Sequence, residues 1–156
     1  MKTKFLAAVV VSTLALPGLA QDVTYRKDIQ PMLKAMCDGC HGEDSPSLAE
    51  FKLNEEKYTK ARQGPRNDTY EHLLALIAYP DAGAFMRRLD DGSSTPDKKP
   101  GNMYKYLGAT DAERVANLKT IKAWIGEGAW NLNRWSKRGD VPAITKEQLD
   151  KLKVKY

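Results

Sequence analysis

Cysteine and histidine are almost missing from this chain: two of each in 156 residues. That scarcity excludes a structural zinc cage, which needs four ligands and usually takes them as two separated pairs. The two cysteines, Cys37 and Cys40, have only two residues between them. A disulfide between them would close a tiny loop with little entropic gain. No βαβ pattern surrounds them, so a thioredoxin-type redox pair lacks its setting. Long apolar runs are missing beyond residue 20, and no later segment reaches the roughly 20 apolar residues a spanning helix needs. No cysteine follows the N-terminal apolar run, so a lipoprotein anchor is not expected. Charge of one sign does not dominate either. Lysines are scattered along the chain, without the concentrated basic face of a nucleic-acid binder. No strand pattern competes with the helical ones.

What is present begins with a leader. Lys2 and Lys4 precede FLAAVVVSTLALPGLA, and Pro17 and Gly18 interrupt the run near its end. The pattern is that of a cleaved signal peptide over residues 1–20, with cleavage expected after Ala20. Its loss removes two lysines and no acid, so the formal charge of +5 falls to +3. Export places the mature chain in the periplasm, where unprotected thiols oxidise.

The two cysteines belong to CDGCH, residues 37–41. In a C-x-x-C-H pentapeptide two thiols add across the porphyrin vinyls, and the adjoining histidine meets the iron. One covalent haem c is therefore expected, with Cys37 and Cys40 as thioethers and His41 as proximal axial ligand. No second attachment motif occurs.

Helices account for the rest. The first is expected from about Asp28 into the haem motif. It has Pro31 in its first turn, where the missing N–H costs little, and Ile29, Leu33 and Cys37 on one face. Asn54 is placed to cap a short helix over Glu55–Gln63. Another helix follows Asn67 and Asp68 and carries Tyr70, Leu73, Leu74 and Ile77. TDAE (110–113) is a capping box. It opens a longer helix whose seam is read as Val115, Leu118, Ile121 and Ile125, with Trp124 beside it. Arg114, Lys119 and Lys122 are assigned to its wet face. Thr145 and Gln148 form a second capping box, from which Leu149 and Leu152 would pack a terminal helix onto the domain. Trp130 and Trp135 either close over the haem or anchor this tail. The domains are accordingly 1–20 leader, 21–129 haem domain and 130–156 extension, and the fold class is all-α.

The sixth ligand is sought in DDGSSTPDKKPGNMYKYLGA, residues 90–109. Met103 lies in this polar stretch with little core to fill, whereas a methionine in a helix is usually packing filler. A thioether is a soft, neutral ligand that raises the reduction potential. Met86, in AFMRRL, is read as core, and His72, in YEHLLALI, as a surface or satisfied helix histidine. A lysine or an open site are the other options.

CDGCH after an N-terminal helix, and PGNM just before a C-terminal helix, resemble a class I monohaem cytochrome c. RRL (87–89), GNM (101–103) and WIGEGA (124–129) are similar to planctomycete-type cytochrome domains and to small periplasmic cytochromes of iron-oxidising bacteria. The resemblance spans about Tyr25 to Ala129. It implies a cytochrome c-like helical fold in which Ile29 and Leu33 face Ile121, Trp124 and Ile125. It also implies His41/Met103 ligation, and a proline carbonyl, at Pro46, that orients His41. The tail from Trp130 departs from the class I pattern.

With both axial positions filled by protein, the iron has no vacancy, and its chemistry reduces to one-electron exchange. The expected function is a periplasmic electron carrier, not an enzyme. It is expected to be a monomer without stable membrane insertion that docks transiently on respiratory or metal-oxidising partners. Arg87, Arg88, Lys98, Lys99 and Lys105 alternate with Asp90, Asp91 and Asp97, which reads as a mixed solvated loop. The alternatives are a haem enzyme or gas sensor with an open site, or a dedicated subunit of a larger respiratory complex.

Overall fold

The computed structural model describes residues 22–95, 97–126, 128–130 and 143–156. The leader and Trp135 lie outside them. The described residues form helices and connecting loops with no strand.

Thr24 caps the first element, its hydroxyl accepting from the Lys27 amide. A π-helical turn, Tyr25–Ile29, then runs directly into α1, Gln30–His41. Pro31 occupies the first turn of α1, as expected. Two short helices follow, α2 (Leu48–Leu53) and α3 (Glu55–Lys60). α2 was not anticipated, although Ser47 and Glu50 make a complete capping box. Asn54 caps α3 as the sequence indicates. Next come α4 (Tyr70–Ile77), capped by Thr69, and α5 (Ala84–Leu89). A 3₁₀ turn, Tyr104–Tyr106, leads to α6 (Asp111–Ile125), whose Thr110–Glu113 capping box is fully formed. A single short turn of helix, α7 (Lys146–Leu149), precedes the C-terminal residues.

One apolar core joins these elements. Ile29, Leu33, Leu73, Ile77, Met86, Leu118, Ile121, Trp124 and Ile125 are all buried in it. The expected meeting of N- and C-terminal helices is present: the π-helical turn packs on α6, with the Tyr25 and Trp124 rings 6.2 Å apart. Each fully enclosed aliphatic side chain here contributes about 1.5–3 kcal/mol relative to exposure.

The seam of α6 needs correction. Val115 is 58% exposed, and the buried face is Leu118, Ile121, Trp124 and Ile125. The wet face is narrower than expected too. Arg114 folds back onto the Gly108 carbonyl, and the Lys122 ammonium sits 5.1 Å from the Trp130 ring centroid.

The tail stabilises the fold chiefly as a strap, not through its helix. Leu149 is exposed, and Leu152 is partly buried against the core. The amides of Lys153 and Val154 donate to the carbonyls of Ile125 and Trp124, satisfying acceptors that the end of α6 leaves open. The Lys155 carbonyl accepts from both the Tyr25 amide and the Trp124 indole, each at 2.8 Å. Tyr156 stacks on Tyr25 at 5.8 Å and meets Tyr70 edge-on at 5.0 Å, with the Arg26 guanidinium over its ring. The chain's last residues thus join α6 to the N-terminal turn.

Candidate haem site

The attachment motif forms the last turn of α1. Cys37 is half-buried against the core and Cys40 is exposed. Burial pushes the Cys37 thiol up to about 11. A redox-active pair needs the reverse, a thiol acidified by its surroundings.

His41 ends α1, and three hydrogen bonds to residues 64–67 hold this terminus. The amides of Gly64 and Asn67 donate to the Cys40 and His41 carbonyls at 2.8 and 3.0 Å, closing acceptors the helix cannot satisfy itself. The Arg66 amide donates to the Pro46 carbonyl at 2.8 Å. The imidazole donates from Nδ1 to the Pro65 carbonyl at 2.7 Å. That bond fixes the tautomer, leaving Nε2 with the lone pair a metal takes. The orienting carbonyl thus belongs to Pro65, not to Pro46 as expected from the family. Pro46 lies nearer in sequence, but its carbonyl is taken by Arg66. The Gly64-Pro65 pair was the overlooked signal, 24 residues beyond the histidine. A glycine is required at 64: a Cβ there would lie 2.0 Å from His41 Cε1.

Asp68 anchors the segment further. It receives Arg66 through two bonds, at 2.9 and 2.7 Å, and this pairing holds its carboxyl below the usual range. Its main-chain carbonyl accepts from the Tyr25 hydroxyl at 2.9 Å, connecting the histidine clamp to the helix meeting point.

The candidate sixth ligands occupy different settings. Met86 is wholly enclosed in the core, at 0% exposure, as the sequence reading expected. His72 serves the start of α4: its Nδ1 lies 3.1 Å from the Thr69 hydroxyl and 3.4 Å from an Asp68 oxygen. Met103 is partly buried, packed on the core beside Tyr104. Its loop is held against the end of α5. The Met103 amide donates to the Arg88 carbonyl at 3.0 Å, and the Gly101 amide to the Asp90 carbonyl at 2.8 Å. A Cβ on Gly101 would come within 2.4 Å of the Arg87 and Arg88 carbonyls, so the loop rests backbone on backbone.

The stretch around this loop is not simply solvated. Asp90 is fully buried, and Arg87 donates to Ala82 and pairs with Asp81. Charge alternation in the sequence suggested a wet loop, but backbone amides and an indole surround one of these carboxylates.

Two cysteines one helical turn apart, an imidazole with its tautomer set, and a methionine on a secured loop are a donor set suited to haem c. Among the described residues no group of three or more His, Cys, Asp or Glu side chains is gathered for a bare metal ion.

Residues 24–156 match the model of a family described as PccH cytochrome c. The match runs through the tail, so the departure from the class I pattern after Trp130 lies inside this family's own extent. A solved structure of the monohaem cytochrome PccH from Geobacter sulfurreducens is 51% identical over 86% of this chain and 99% of that one, with a TM-score of 0.74. No curated protein matches.

Proposed function

The chain belongs to the PccH cytochrome c family, monohaem electron-transfer proteins with one covalent haem c, and on that premise we propose which residues hold the group and where it works. Cys37 and Cys40 form the thioethers, His41 is the proximal axial ligand and Met103 the distal one. Haem c, once bound, supplies one-electron exchange between ferric and ferrous iron.

This chain's residues do the rest. Pro65 and Gly64 set the plane and tautomer of His41, so that Nε2 presents its lone pair in one direction. The backbone bonds of Gly101 and Met103 hold the thioether's loop in fixed register on α5. Two rigidly supported ligands keep geometry constant between oxidation states, which favours fast electron exchange. The single observation carrying this reading is the 2.7 Å bond from His41 Nδ1 to Pro65, because it prepares the opposite nitrogen for a metal.

The site of action is the periplasm, following cleavage after Ala20, and partners of respiratory or metal-oxidising type dock briefly. No helix among the described residues is long and apolar enough to cross a membrane. The test of the ligand set is the ferric optical spectrum of the wild type beside Met103→Ala. A weak far-red sulfur-to-iron band in the wild type, lost in the variant, supports Met103. Persistence of the band in Met103→Ala removes it from the role.

A further inference from the structure

A buried carboxylate stands behind the methionine loop. Asp90 immediately follows α5 and is 0% exposed. Isolated burial of a carboxylate is costly, so its partners decide its worth. One oxygen accepts from the Trp130 indole N–H at 2.7 Å. The other accepts from the Gly92 amide at 2.7 Å and, more weakly, from the Ser94 amide at 3.3 Å. No cation pairs with it among the described ion pairs; the nearby Lys122 reaches the neighbouring Asp91 instead, at 3.9 Å.

Backbone groups of the same short segment hold the loop. The Asp90 carbonyl accepts from Gly101, and the Arg88 carbonyl accepts from Met103. Trp130 lies just beyond α6, with Lys122 of α6 over its ring. Three pieces of chain therefore meet at one residue: the end of α5 carries Asp90, the segment after α6 bonds its carboxylate through Trp130, and the loop that presents Met103 bonds its main-chain carbonyl through Gly101.

Resting on the Met103 reading above, we propose that Asp90 and Trp130 are positioning residues for the axial methionine, locking its loop so that Met103 stays on the iron. The indole is the element that makes the lock specific. Without its N–H one carboxylate oxygen loses its donor within the buried site, and the turn that carries Asp90 loses its bond to the segment after α6. An amide at 90 fails differently. It has a single acceptor oxygen, so its NH₂ must face either the indole N–H or the Gly92 amide, donor against donor.

The test uses holoprotein. Imidazole is added to ferric wild type, Trp130→Phe, Asp90→Asn and Tyr70→Phe, and displacement of the methionine is followed at the far-red band. Tyr70→Phe, which loses a bond to the Val154 carbonyl far from the loop, controls for general destabilisation. Both Trp130→Phe and Asp90→Asn should retain the band at rest yet exchange about tenfold faster, the effect of losing one hydrogen bond to a charged group, with Tyr70→Phe near wild type. If Asp90→Asn does not mature, Trp130→Phe alone decides. Wild-type exchange rates in Trp130→Phe, or equal acceleration in Tyr70→Phe, would overturn the proposal while leaving Met103 as ligand. A far-red band surviving in Met103→Ala would instead overturn the ligand assignment, and this proposal with it.

Discussion

The Gly64 backbone lies against the His41 ring, so close that a Cβ there would stand 2.0 Å from the ring's Cε1. The ring can keep its bond to Pro65 only while residue 64 has no side chain. Gly64→Ala is therefore expected to push the imidazole off its axis. Overpacking of this kind costs about 1–3 kcal/mol. The check is thermal unfolding together with the low-temperature magnetic resonance spectrum of the ferric protein. A lowered Tm with shifted ligand-field parameters is expected.

The strap makes a separate prediction. Tyr156 stacks on Tyr25 and meets Tyr70 edge-on, and removing it forfeits two aromatic contacts worth about 0.5–1.5 kcal/mol each. Tyr156→Ala should lower the midpoint of denaturant unfolding by a comparable free energy and leave the visible spectrum unchanged. Removing residues 152–156 should cost more, since the Trp124 indole and the last carbonyls of α6 lose their partners.

The pH dependence follows from Asp68. Its side-chain bonds with Arg66 depress its folded-state pKa below the ordinary value of 3.8. A depressed carboxylate contributes stability above its unfolded pKa and loses it as pH falls through the folded one. Wild type should therefore exceed Asp68→Asn in Tm at about pH 5, and the gap should close towards about pH 2. Thermal scans of both proteins across that window measure it.

The corrected face of α6 can be tested directly. Val115→Lys, at an exposed position, should change stability by no more than about 0.5 kcal/mol. Ile121→Ala, at a fully buried one, should cost about 2–5 kcal/mol. Urea titrations of the two variants distinguish this face from one centred on Val115.

Local signals in the sequence were reliable where chemistry is local. The Thr110–Glu113 and Thr145–Gln148 boxes, the Asn54 cap and Pro31 at the start of α1 all depend on neighbours within a few positions. CDGCH is equally local, which is why its cofactor was legible. The losses are non-local. Pro65 reaches His41 across 24 positions, and the Gly64-Pro65 pair is the one local hint of it. Asp90 looked like surface because its donors are backbone amides and an indole 40 residues away. The last residues carry no helical period, yet they join α6 to Tyr25 by main-chain bonds. Val115 was misplaced because the steps from 115 to 118 and from 118 to 121 are three residues each. On a helix of 3.6 residues per turn each such step rotates by about 60°, leaving Val115 off the face that Leu118, Ile121, Trp124 and Ile125 bury.

The most direct measurement is carbon monoxide binding to the ferrous holoprotein by rapid mixing, with Met103→Ala alongside. Protein ligands on both faces of the iron mean that wild type should show no binding on the mixing timescale, while Met103→Ala should bind promptly. Fast binding by wild type at the variant's rate would contradict a closed, electron-transferring site.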